Sequence, residues 1–276
     1  MIKTHGLFGL FAEIPWYMRI VLGSVPFLLM ILGYWGISAL YLVENPDGKL
    51  LPSYAQMAER LVVLATQPDR RSGEILLWLD MGSSLKRLLM SMAAAGFVGI
   101  MMGIVTAFYP VWRYTLSPFI TFFSNVPIIS LIAILMLFLG MDELFKFALI
   151  FLATVFIVTR DVQNSALKVP NEMITKTLSL GASQRGTVFR VMLPRLMPDA
   201  LKAIKFVLGT AWVYTLAAEM IRSSDGIGQR IVFARRSVDM ELIIPYVMVV
   251  TLMAFALNML MDLWIRIVYP WYQEDE

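Results

Sequence analysis

Six stretches with few or no charges constrain this chain most: residues 20–43, 88–108, 114–141, 147–159, 206–218 and 242–261. A helix needs about 20 residues to cross about 30 Å of hydrocarbon, and four of the six are that long. The fourth and fifth runs have 13 residues each, which is about 20 Å of helix. Their charged ends, Lys146, Arg160, Asp161, Lys202, Lys205 and Glu219, must therefore snorkel, pair or sit inside a bundle. The expected fold is all-α, a polytopic membrane bundle of about six helices in one transmembrane domain over 1–276.

Composition agrees. Hydrophobic residues make up 59% of the chain and charged ones 16%, against about 25% charged in soluble domains. A net charge of +3 is too weak to imply nucleic acid, and membrane lipid is the expected surroundings. With no cysteine and one histidine, His5, neither a thiolate nor a histidine metal site is expected. The apolar run near the N-terminus lacks the short core and small-residue end of a cleaved signal, so it reads as a retained first span.

Residues 160–205 interrupt the apolar pattern with eight Lys/Arg against three acids, which places this segment on the cytoplasmic side. Six spans then put both termini inside and the loops 44–87, 140–143 and 222–241 outside. The acidic Gly140-Met141-Asp142-Glu143 turn fits that side, while the basic residues of the two longer loops argue against it. Within the first outer loop, Met57, Leu61 and Leu64 or Ala65 recur at helical spacing over 54–66, as in an amphipathic interfacial helix. Residues 67–73 read as a polar turn, and the apolar stretch 74–80 is too short to span alone.

The basic segment also has a mechanical reading. Pro170 can open a helix over 171–180, Gly181 frees the backbone for a sharp turn, and a second helix follows over 184–192. Leu178, Leu180, Phe189, Val191 and Met192 make this knob too apolar for water and fit it for a partner's cleft. An ordinary amphipathic connector is the alternative. No G-x-x-x-x-G-K-[ST] phosphate loop occurs, because Gly48-Lys49 has neither the upstream glycine nor the following hydroxyl. No hydrolase constellation occurs either, so the chain is not expected to be an enzyme.

Intramembrane polar groups are costly and face protein or a cavity. Ser124, Asn125, Ser130, Trp212, Tyr214 and Glu219 are the candidates for a translocation path, with Asn258 in the last span. Glu219 either lines that path or pairs with Arg222 at the outer loop. Gly96, Gly99 and Gly103 allow close helix packing.

Leu180-Gly181-Ala182-Ser183, with Val191 ten residues after Gly181 and then Leu193-Pro194, resembles the cytoplasmic signature loop of permease subunits of binding-protein-dependent ABC importers. Ala211-Trp212, Ala217-Ala218-Glu219-Met220, Ser224-Asp225-Gly226-Ile227-Gly228, Leu51-Pro52-Ser53 and Pro127 are similar to the nitrate, sulfonate and taurine branch. The resemblance implies a type I importer permease of the bacterial inner membrane. Its expected partners are a second permease subunit in a homodimer, two cytoplasmic ATPase subunits that carry the ATP and Mg, and an external substrate-binding protein. The permease itself holds no cofactor. The resemblance assigns ATPase coupling to Leu178, Leu180, Gly181, Ala182, Ser183, Phe189, Leu193 and Pro194, and contact with the binding protein to the 222–236 loop. Thr175, Lys176 and Thr177 stand where the family usually has Glu-Ala-Ala, which removes the customary glutamate. A secondary transporter or channel is the rival reading; it requires inverted repeats or a paired intramembrane carboxylate and cation, and neither is visible in the sequence.

Overall fold

The structure is a computed structural model that describes residues 15–45, 48–69 and 73–272; His5, both chain ends and the middle of the 67–73 turn lie outside the described residues. It is helical throughout, with no strand among the described residues. The chain begins with α1 (Trp16–Glu44), α2 (Tyr54–Thr66) and α3 (Leu76–Phe108). Leu51-Pro52-Ser53 joins the first two. The Tyr34 hydroxyl of α1 donates to the Pro52 carbonyl at 2.7 Å, and Ser38 donates to that of Leu51 at 3.0 Å. Ser53 then forms a capping box with Gln56 at the start of α2, which satisfies amide groups that no helical turn can reach. Met57 and Leu64 of α2 are buried; Leu64 packs in a cluster with Leu77, Ile227 and Tyr246, so the apolar face expected along the membrane interface is covered by protein.

At 33 residues α3 is about 50 Å long, and it carries Asp80, Lys86 and Arg87 within one continuous helix. This corrects the sequence expectation that 74–80 is separate and that the first outer loop extends to 87. Hydropathy treats those charges as unpaired, whereas the fold gives Asp80 a partner in Arg230 and Arg87 partners in Glu143, Glu219 and Asp225. The third apolar run is likewise not one rod. It divides into α4 (Pro110–Ser124), a single 3-10 turn (Ile128–Leu131) and α5 (Ile132–Leu139), with an 86° bend between the halves. Pro127, which lacks an N–H, stands at that break.

Next comes α6 (Glu143–Leu167), which is 25 residues long rather than 13. It forms the central pair with α3. A Cβ on Gly99 would come within 2.8 Å of Val158, and one on Gly103 within 2.9 Å of the Thr159 carbonyl, so the small residues set the closeness of these two helices. Around them Leu88, Met92, Val158, Val162, Leu208 and Trp212 form the main core.

Beyond α7 (Asn171–Ser179) the chain turns at Gly181 into α8 (Gln184–Gly186), a π-helical turn (Thr187–Met192) and α9 (Leu193–Phe206). The expected stop at 192 is absent, and the helix continues. The fifth span is α9 with α10 (Leu208–Ile221), bent by 41°. After α11 (Ile227–Arg236), α12 (Met240–Val268) closes the chain. Three helices, α1, α3 and α12, are each long and apolar enough to cross a membrane, and the two bent pairs raise the count to five. The sequence expects six crossings; α6, 25 residues long, is not among these five.

Candidate functional site

The polar groups gather at opposite ends of the bundle. At one end stands the knob around Gly181. The Ala182 N–H donates to the Thr177 carbonyl at 3.3 Å and the Gly181 N–H to that of Leu178 at 3.0 Å, the double bond of a Schellman cap. Gly181 has φ +86°, a left-handed conformation that costs L side chains about 1–2 kcal/mol. Two residues on, Ser183 caps the following helix by accepting from Gly186 N–H at 3.1 Å. Pro194 follows the π-helical turn; its ring cannot donate and crowds the carbonyl four residues earlier, which a wider turn relieves.

This double cap decides which of the residues expected to couple face out. Leu180 is 88% exposed and Phe189 56%, with Leu178 also exposed. By contrast Met192 is fully buried and Val188 nearly so, which removes Met192 from the expected docking face. The inner side of the knob rests on the α3–α4 turn, where Ile174, Leu178, Val188 and Met192 share a cleft with Phe108 and Tyr109. Leu193 is half-buried, and Pro194 and Ala182 lie at or near the surface. Thr175 bonds only its own helix, at the Asn171 carbonyl.

At the opposite end an ionic clasp, buried at Asp80 and Glu219 and open to the surface at Glu143, joins α3, α6, α10, α11 and α12. Arg87 holds Glu143 with two bonds of 2.8 and 2.9 Å, Glu219 at 2.9 Å, and also Asp225. Glu219 is 0% exposed; it accepts further from Ser84 at 2.8 Å and from Gly228 N–H at 2.9 Å. Lys146 bridges Glu143 at 2.6 Å to the Ser223 hydroxyl at 2.9 Å. A second buried carboxylate, Asp80, accepts from Arg230 at 2.8 Å, Tyr246 at 2.9 Å and Gly226 N–H at 3.1 Å. The Ile227 N–H donates to Ser84 at 2.9 Å.

Three successive amides at the start of α11 thus find their acceptors on other helices, where the positive end of a helix favours carboxylates. The loop glycines follow from this. Gly226 has φ +106°, and a Cβ there would sit 2.5 Å from a Glu219 oxygen; one on Gly228 would sit 2.6 Å from the Leu216 carbonyl.

Two expectations are corrected here. Glu219 pairs with Arg87, not Arg222. A paired buried carboxylate and cation does exist, although the sequence shows none, because its members are 132 residues apart. Each partner is saturated by protein groups, so the pair acts as a structural clasp.

The six path candidates separate. Asn125 and Ser130 are exposed on the α4–α5 break and Ser124 is half-buried there, where Arg160 donates to the Ser124 hydroxyl at 3.2 Å. Tyr214 is half-buried. Trp212 and Glu219 instead lie inside the bundle, and the Trp212 indole N–H has no acceptor among the described residues. Asn258 bonds within α12, to the Ala254 carbonyl. Sequence reasoning missed Asp80, Ser84, Arg87 and Tyr246; Asp80 and Arg87 carried a signal, as charges near apolar runs, but not their partners.

A polytopic helical bundle with an apolar knob at one end and an ionic clasp at the other fits a membrane permease subunit. The chain belongs to the family described as binding-protein-dependent transport system inner membrane component, which matches residues 96–274. Its relatives include the taurine transport system permease protein TauC of Escherichia coli (strain K12), 27% identical over 92% of this chain and 90% of that protein. The nitrate import permease protein NrtB of Synechocystis is 25% identical over 66% of this chain and 67% of its own length. Among solved structures, a chain of the inward-facing MetNI methionine ABC transporter shares the fold, with a TM-score of 0.57 at 17% identity over 67% of this chain and 94% of that one. The chain is thus a multi-pass inner-membrane permease subunit of an ABC importer, in the nitrate, sulfonate and taurine branch. Subunits of this class transport, and their ATP hydrolysis belongs to separate subunits.

Proposed function

We propose that this subunit passes a small oxyanion or sulfonate inward and takes its power stroke through the knob at Gly181. The observation that carries this reading is the Schellman turn displaying Leu180, Leu178 and Phe189 on a basic segment. Large apolar side chains at such exposure favour a partner's cleft over water. The knob end is then cytoplasmic and meets an ATPase subunit holding ATP and Mg. The clasp end faces outward, and the 222–236 loop it fixes receives the substrate-binding protein. A second copy of the chain completes the path, lined by Ser124, Asn125, Ser130 and Tyr214, with Trp212 and Glu219 standing behind as support. The solute class draws on the transport named for the relatives TauC and NrtB.

The native chain has no cysteine, which makes a sidedness test clean. Ser224→Cys is expected to react with an impermeant thiol reagent in intact cells, and Ser183→Cys only after the membrane is opened. The reverse pattern would overturn the reading.

A further inference from the structure

At the knob end, a cleft of about 590 Å³ lies between the end of α6, one face of α9 and the residues that follow α12. Lys168, Arg195 and Lys202 line it with a single carboxylate, Asp199. That carboxylate is engaged, since the Tyr272 hydroxyl donates to it. Burial, and then the neighbouring Asp199, hold the Tyr272 phenol above its ordinary value, so it remains a donor. Lys202 lies 4.6 Å from the centre of the Tyr272 ring, a cation–π contact. Lys168 and Arg195 are exposed and have no ion pair among the described residues. Lys168 and Arg195 thus carry charge that no carboxylate among the described residues pairs. Lys202 also borders a second cleft, lined by Lys205, Phe206, Asn258 and Asp262 between α9 and α12, where Lys205 pairs with Asp262 at 2.5 Å. Phe206 is 77% exposed, and Leu263, Trp264, Ile267 and Trp271 are also exposed on or just past α12.

We propose that this cleft binds the phosphate headgroup of an anionic phospholipid, with the acyl chains lying along α9 and α12. Charge and placement select that ligand over a free anion. The cations stand at the end of apolar helices beside interfacial Trp and Tyr, the arrangement by which basic pockets between membrane helices hold anionic headgroups. The leaflet it faces rests on the sidedness proposed above, which the cysteine labelling tests separately.

The test uses the permease purified with its ATPase subunits in neutral detergent, with lipid retention read by native mass spectrometry and stability by thermal unfolding. Phosphatidylglycerol is expected to stay bound and raise the unfolding midpoint, whereas phosphatidylcholine and inorganic phosphate are not. Two cations near a membrane surface contribute about fivefold each, so Lys168→Gln with Arg195→Gln is expected to weaken phosphatidylglycerol binding roughly thirtyfold. Without lipid, the midpoint should be unchanged. Arg195→Lys is expected to retain most binding, and Arg236→Gln at the opposite end all of it.

Equal retention of the neutral lipid, or equal affinity in the double variant, would overturn the proposal. So would a stabilisation by phosphate matching that of the lipid, which would mark a free-anion site. Two other occupants would show themselves. Binding only in the absence of the ATPase subunits would make the face an ATPase contact. Binding only after removal of residues 273–276, which include Glu274, Asp275 and Glu276, would make the acidic tail the occupant.

Discussion

Glu219 shows how much one side chain can fix. It is a carboxylate with 0% exposure that receives bonds from Arg87, Ser84 and the Gly228 amide. Arg87 keeps Glu143 and Asp225, but a glutamine nitrogen cannot accept, so at least one of the buried donors around Glu219 loses its acceptor, at about 1–3 kcal/mol and more where that donor is charged. Glu219→Gln is therefore expected to lower the thermal midpoint and membrane abundance strongly. Asp225→Asn should be milder, because Asp225 keeps 28% of its side chain exposed and solvent screens what it loses. Gly226→Ala combines a positive φ with a contact 2.5 Å from a Glu219 oxygen, so it should resemble Glu219→Gln in the same unfolding assay. If Glu219→Gln unfolds at the wild-type temperature, the clasp does not hold the bundle.

Among the helices and turns, Gly181 and Thr175 separate two kinds of change. A Cβ at Gly181 meets nothing within 4 Å in its own chain, yet φ there is +86°. Gly181→Val is expected to keep the bundle folded, strain the turn by about 1–2 kcal/mol, and abolish solute uptake. Thr175→Ala should leave uptake near normal, because its hydroxyl serves only the Asn171 carbonyl. Normal transport by Gly181→Val together with loss in Thr175→Ala would end the docking assignment. The turn itself was legible in the sequence, since Gly181 and Pro170 bracket a local motif whose causes are local. Span boundaries were less so. Asp80 looked like a stop because its partners Arg230 and Tyr246 lie 150 and 166 residues away. The 86° break at 125–127 was hidden because the run it interrupts is charge-free on both sides. The clasp was invisible for the same reason as Asp80: every ion pair of Arg87 is with a distant residue.

Across the whole molecule, the two ends should fail independently. The knob touches the bundle through the α3–α4 turn, while the clasp ties α3, α6, α10, α11 and α12 at the other end. Mutations without shared partners add. Glu219→Gln is thus expected to lose stability while whatever folds still binds the ATPase, and Gly181→Val to keep stability while losing coupling. Combined, their effects on the thermal midpoint should sum. The surface tells the same story, because α1 has none of its most apolar window buried within its own chain. Its ties to the rest include the bonds in its C-terminal half, from Tyr34 and Ser38 to the 51–52 backbone and from Tyr54 to Ile31. Such a helix needs lipid or another subunit around it.

The central claim, that the exposed apolar turn is where the engine grips, is tested most directly by cross-linking. A cysteine at Leu180 or Phe189, paired with cysteines along the cleft of the ATPase subunit, is expected to give a disulfide-linked permease–ATPase product whose yield changes when nucleotide binds. A cysteine at Ser224 should give none. Cross-linking from Ser224 with none from Leu180 or Phe189 would contradict the account.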